Sequence, residues 1–465
     1  MDPRAIPLNK APLRSPSAYV LYWAQMNRRV DSNHALLHAS ELANRLRLPV
    51  LYYEELTYNY PYASDRLHTF VLEGVPETAK RLKKAGIGYV FYLRRNSSDP
   101  DDVLYQLARR AAAVITDDYP TAAVRCSNAT AADRLDVPLI AVDASCIVPM
   151  RKFDKREWAA YTLRPKMRRL LPQFLKAAPE VHVVQQFQEP PPPFHAEVTP
   201  ENIPALVAAC AVDHSVPPSL TYSGRRAEAK RRLRRFLERR LARYSSLRNE
   251  PSAHAASTLS PYLHFGRLSS LEVALAVRQY SEEHKLVADE YLDELIVRRE
   301  LAFNFTLHTP NCKSLESLPA WALATIRRHS SDPRSPVYTR EEFEHAGTHD
   351  PLWNAAQGEL LLRGTIHGYY RMYWGKKILE WSASPEEALE TMIYLHDRYA
   401  LDGRDPNTYT NILWCFGLHD RPWKERPVYG QVRYMSYEGM KRKTQVAAYV
   451  REIDLLRRTG RDPFR

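Results

Sequence analysis

At 465 residues the chain can hold two or three domains with their own cores, which excludes a miniprotein stapled by disulfides or a metal. Lys and Arg number 66 against 54 Asp and Glu, a net charge of +12 that favours nucleic acid or an anionic membrane surface as partner without choosing between them. Five scattered cysteines with no CxxC, no apolar run of about 18 residues, and a start (Met1 to Pro16) without an apolar signal core set the expectation of a cytoplasmic protein with no membrane segment and no metal site.

From Ala18 to Ser145, apolar runs of strand length alternate with helical patterns: AYVLYWA, PVLYYEEL, IGYVFYL, AVITDD and PLIAVDAS, separated by stretches such as NHALLHASELANRL and DDVLYQLARRAA. Five strands with intervening helices predict a doubly wound parallel α/β domain over 15–185. Such a sheet binds ligands at its strand ends, yet no glycine precedes Gly74, so the GxGxxG dinucleotide fingerprint is absent, and so is a GxxxxGK[ST] loop. The proline-rich run EPPPPFHAEVTPENIP and the SVPPSL that follows predict an extended interdomain linker over 186–222. Beyond it, 223–465 carries helical periodicity and almost no strand signal, which predicts an all-α domain.

Candidate chemistry lies in this second half. The basic run Arg225 to Arg243 wraps a helix around Leu233, Phe236, Leu237 and Leu241, and reads either as a solvated face or as a DNA contact. Basic residues interleaved with aromatics, Arg248, Arg421, Trp423, Lys424, Arg426 and Arg433, suit a single-stranded or flipped-base site. Ser257, Thr258 and Ser260 precede a proline-marked helix start, where hydroxyls and free N–H groups cap the helix or hold a phosphate. On one helical face His367, Arg371, Trp374, Ile378 and Trp381 line up, with Tyr369 and Met372 beside it; alone, the stripe is core packing. Glu294 stands four residues before Arg298, a spacing that favours an ion pair over a carboxylate in an aromatic cleft. LDGRDPN, with Asp402, Arg404 and Asp405, reads as a rigid polar turn.

Together the strings RNEP at Arg248, STLSPYLHFG at Ser257, DELIVRREL at Asp293, THDPLWNAAQ at Thr348, HGYYRMYWGKKILEW at His367, LDGRDPN at Leu401 and HDRPWKERPVYGQVRYMSYEGMKRK at His419 closely resemble the photolyase and cryptochrome superfamily, in particular class II cyclobutane pyrimidine dimer photolyases. The resemblance covers essentially the whole chain in order. It implies FAD inside the helical domain, with Tyr244, Ser257, Thr258, Leu259 and Ser260 along its phosphate and ribitol part, and with Arg371, Asp402 and His396 beside its ring system. It implies an electron relay through Trp353, Trp374 and Trp381, and a pocket for the flipped dimer formed by Arg248, Asn249, Glu294, Tyr369, Met372 and Trp414. Photolyases are among the enzymes that take their target nucleotides out of the stack.

The activity the resemblance implies is light-driven splitting of pyrimidine dimers in UV-damaged DNA by electron transfer from reduced FAD, in a monomer. Glu294 would stabilise charge on the dimer, and a deazaflavin or folate antenna would sit in the first domain. One position departs: in YLHDRY the class II pattern has Asn where this chain has His396, facing flavin N5, and an imidazole titrates where an amide does not. That departure, and the unorthodox tail TQVAAYVREID after Lys443, motivate a rival reading as a cryptochrome-like FAD photoreceptor with weak or no repair. A third reading is a basic nucleic-acid-binding protein with no cofactor.

Overall fold

The computed structural model describes residues 2–462. Its α/β part is a six-stranded sheet of β1 (Ala5–Pro7), β2 (Tyr19–Ala24), β3 (Val50–Thr57), β4 (Gly88–Arg94), β5 (Ala111–Asp117) and β6 (Leu139–Val142), in the order β1-β6-β5-β2-β3-β4. The five expected strands are present and parallel to one another. A sixth, β1, lies ahead of residue 15 and pairs antiparallel with β6, Ala5 opposite Val142. Its three residues are too short to carry an alternation signal.

Both faces of β2 are buried, with Val20, Tyr22 and Ala24 packing on one side and Tyr19, Leu21 and Trp23 on the other. This is why the strand reads as a continuous apolar run. The winding reverses between β2 and β5, and the carboxyl ends of β2, β3 and β5 open there into a cavity of about 740 Å³ lined by Trp23, Glu55, Tyr60, Thr121, Phe265 and Arg404 among others. A crevice at a reversal of strand order is where open α/β sheets take up ligands.

The proline-rich run after residue 186 runs against the margin of β4: the Ala196 N–H donates to the Phe91 carbonyl at 2.8 Å, and the Phe91 N–H donates to His195 Nδ1 at 3.1 Å. A short helix, Ile203–Ala208, then buries Ile203 and Val207 against Val71 and Leu56. At Gly224 the chain passes so close to the helix Asp65–Leu72 that a Cβ would fall 1.6 Å from the Phe70 carbonyl oxygen, so only glycine fits.

The remainder is helical around a core centred on Trp353, Trp374, Tyr370, Tyr373, Leu395 and Leu413. Buried charged side chains join it to the α/β part. Arg66 donates to the carbonyls of Pro217, Leu360, Leu361 and Tyr399, and Arg267 donates to those of Arg28 and Val71. Burial pushes the Glu300 carboxyl up to about 8, and its two oxygens accept from the Ile147 N–H at 2.5 Å and the Val148 N–H at 3.2 Å. Replacing Glu300 with Leu strands two buried donors, at a cost of about 2 kcal/mol or more. A lower urea midpoint for Glu300→Leu is the expected result; an unchanged midpoint contradicts this role.

Candidate functional site

Three helices and a turn form one side of a cleft of about 400 Å³. The helix Gly368–Trp381 begins at His367, whose Nδ1 accepts from the Tyr369 N–H, and it brings Arg371, Met372 and Trp374 to the wall. The helix Pro385–Tyr399 supplies Met392 and His396, and the 400–405 turn supplies Asp402. The helix Pro406–Trp414, capped by the Asp405 carboxylate on the Asn407 N–H, contributes Asn411, Ile412 and Trp414.

At the floor, Arg371 Nη2 donates to both carboxylate oxygens of Asp402, at 3.0 and 3.2 Å, and to the Ile366 carbonyl. Burial opposes charge on Asp402, yet Arg371 beside it and a hydrogen bond from Ser260 hold the carboxyl below its ordinary range. His396 is buried, and burial together with Arg371 pushes its imidazole down to about 3. Its Nδ1 donates to the Met392 carbonyl at 3.1 Å, which leaves Nε2 of the neutral ring as an acceptor. The ring stands edge-on to Trp374, 4.9 Å between centroids.

Behind Trp374 lie two further buried indoles. Trp353, from the helix Pro351–Arg363, stacks on Trp374 at 6.2 Å and 4°, and meets Trp381 at 6.4 Å and 65°. The sequence puts Trp374 and Trp381 two turns apart on one helix; the fold inserts Trp353 between them. Both inner indole N–H groups are satisfied, Trp374 by Gln357 Oε1 and Trp353 by the Trp374 carbonyl, each at 3.0 Å.

At the mouth, Glu294 lies in a π-helical segment, Asp293–Arg298. The wider turn breaks the four-residue register. The expected Glu294–Arg298 pair is therefore replaced: Arg298 faces Asp293 at 3.6 Å, while Glu294 accepts from the Tyr244 hydroxyl at 2.5 Å and Arg248 Nη1 at 2.7 Å. Trp414 lies under the Arg298 guanidinium, 5.7 Å from its ring centre.

An adjoining cavity of about 220 Å³ is lined by Thr258, Leu259, Arg232, Arg240, His254 and His367 among others, and shares Ser257, Ser260, Ile366 and Gly368 with the main cleft. A Cβ on Gly368 would meet nothing within 4 Å, so there is open room beside this residue where the two cavities adjoin. Of the expected site residues, Tyr244, Ser257, Ser260, Glu294, Arg371, Met372, Trp374, His396, Asp402 and Trp414 line the cleft, and Arg248 reaches it through Glu294. Trp353 and Trp381 form the layer behind. Asn249 is exposed and Tyr369 half-buried, and neither is part of the lining.

Sequence reasoning missed Asn411, Arg232, Arg240 and His264. Asn411 was legible, being one turn before Trp414 on the same helix. Arg232 and Arg240 were hidden in the basic run: Arg232 is turned inward, donating to Glu228 and the Thr221 carbonyl. His264 lines both this cleft and the cavity at the sheet, and its Nδ1 lies 3.1 Å from Asp405, which also accepts from Tyr119 at 2.7 Å.

A sequence profile of the family described as DNA photolyase matches residues 20–186. The chain is 39% identical to the deoxyribodipyrimidine photo-lyase of Methanothermobacter thermautotrophicus over 94% of each chain. It is 37% identical to that of Potorous tridactylus over 95% of this chain and 82% of the other. The fold is similar to that of an archaeal photolyase from Sulfolobus tokodaii solved with two FAD molecules, at a TM-score of 0.65 and 15% identity over 96% of this chain and 95% of that one.

Because His396 ordinarily titrates near 6.5 and here near 3, the unfolded chain takes up the proton first. Stability from this group is complete above about pH 6.5 and is lost as pH falls toward 3. His396→Asn is expected to shrink the drop in urea midpoint between pH 7.5 and pH 5; an equal drop in both proteins contradicts a buried neutral imidazole.

Proposed function

The chain belongs to the DNA photolyase family, and on that premise we propose that it is a class II enzyme that splits cyclobutane pyrimidine dimers in UV-damaged DNA, with FAD seated in the cleft. The observation that supports this most is the union, in one cleft, of the Arg371–Asp402 pair, a neutral imidazole, a buried indole stack behind them and a positioned carboxylate at the mouth.

The residues present suit FAD. Arg371 Nε is buried without a protein partner, so the guanidinium retains a donor, and Asp402 beside it is an acceptor; a flavin's uracil-like edge needs both. The cavity adjoining at Gly368 presents Ser257, Thr258, Arg232 and Arg240, hydroxyls and cations suited to a pyrophosphate. When bound, reduced FAD supplies the light-excited electron that opens the cyclobutane ring.

The chain's own residues position and shield. Arg371 and Asp402 set the orientation of the ring system, and His396, uncharged, adds no positive charge beside it. Glu294, held by Tyr244 and Arg248, hydrogen-bonds the flipped dimer, and Met372 and Trp414 pack its apolar faces. Trp381, Trp353 and Trp374 form a contiguous path along which electrons reach the cleft. The larger cavity at the strand ends is the seat for an antenna chromophore of the deazaflavin or folate class. The imidazole of His396, where the class II pattern has an amide, and the unorthodox tail after Lys443 favour the photoreceptor reading.

Blue light on the reduced holoprotein is expected to restore monomeric thymines in an oligonucleotide carrying a thymine dimer. Absence of restoration with FAD bound and reduced supports the photoreceptor instead. Trp353→Phe and Trp381→Phe are each expected to slow photoreduction of oxidised FAD at least tenfold while leaving FAD content intact; unchanged photoreduction in both removes the relay.

A further inference from the structure

Among the described residues the two most exposed large aromatics are Tyr161, at 71%, and Trp158, at 61%. They stand three residues apart at the start of the helix Ala160–Phe174, which buries Leu163 and Met167 and leaves Arg168 and Arg169 exposed. Between Arg151 and Arg169, basic residues outnumber acidic ones eight to two. The Arg156 guanidinium lies 5.5 Å from the Trp158 ring centre, so an aromatic-and-arginine pair faces water here.

Two connections place this corner beside the cleft mouth. The Trp158 carbonyl accepts from His419 Nδ1 at 2.5 Å, and the His419 ring lies 6.4 Å from Trp414. Arg164 donates to the Asp293 carboxylate at 2.7 and 3.0 Å; Asp293 directly precedes Glu294, and its other partner, Arg298, covers Trp414. On the C-terminal side, Trp423 sits between the guanidiniums of Arg421 and Arg433, another aromatic-and-arginine cluster.

We infer that Trp158, Tyr161, Arg168 and Arg169 form a second DNA-holding surface, which grips the strand flanking the flipped dimer. The inference rests on the dimer-splitting reading of the cleft. The aromatics stack on a base of any sequence, and the two outward arginines take neighbouring phosphates. A nucleotide drawn into the cleft leaves its neighbours unstacked at the mouth, and a stacking platform there offsets that loss.

The test is fluorescence anisotropy of the FAD-loaded protein with a labelled duplex carrying one thymine dimer, and with the same duplex intact. The Trp158→Ala, Tyr161→Ala double variant is expected to bind the dimer duplex about tenfold more weakly, with Trp158→Phe close to wild type. Arg168→Gln with Arg169→Gln is expected to lower the slope of log affinity against log salt by about 1 to 2. The link to His419 runs through a backbone carbonyl, so side-chain replacement preserves it, and retained flavin absorbance checks the fold. Wild-type affinity and salt slope in both variants overturn the inference, as does a self-associating wild type that Trp158→Ala renders monomeric without loss of DNA binding. A wild type that does not distinguish the two duplexes overturns the dimer-splitting reading itself.

Discussion

The cleft depends on the ion pair between Arg371 and Asp402. Arg371 comes from the first turn of one helix and Asp402 from the turn that ends another, and both are largely shielded from water. A buried carboxylate stays charged only beside a matched cation, so the pair is sustained by its own geometry and would be costly if either partner were lost. By tying the helix Gly368–Trp381 to the turn after Pro385–Tyr399, it holds Trp374 against His396 and fixes the wall of the cleft. The same guanidinium field, added to burial, keeps the imidazole neutral, so one interaction sets both the shape of the floor and its charge.

Much of the fold was legible because its signals are periodic. The apolar runs that became β2 to β5 are buried on both faces, and a strand of that kind reads as such from composition. β1 was not legible, since three residues without a hydrophobic pattern acquire strand geometry only from pairing with β6. At the cleft, the Trp374 and Trp381 spacing was readable, whereas the insertion of Trp353 between them is a tertiary fact with no local signature. The Glu294–Arg298 spacing misled because the register assumes 3.6 residues per turn, and the segment that carries it is wound more widely. Arg232 shows the converse failure: inside a run of basic residues nothing local separates an arginine that faces inward from one that faces water.

Two spaces share a wall at His264. One opens at the reversal of strand order in the sheet and the other among the helices, and the His264–Asp405–Tyr119 cluster stands where they approach. Burial opposes charge on Asp405, but His264, Arg299 and Asn407 stabilise it, so the carboxyl stays below its ordinary range. A rigid polar partition of this sort fixes the distance between the two spaces, whatever occupies them.

The proline-rich segment along β4 does more than connect. An outer strand offers a row of unpaired amides and carbonyls, an invitation for another polypeptide to add itself to the sheet. Here Ala196 and His195 occupy that row at Phe91, and the prolines around them have no amide hydrogen to present outward. The molecule thereby carries its own guard against fibrous association. A proteolytic nick in this stretch would free the amide and carbonyl of Phe91 to pair with another chain.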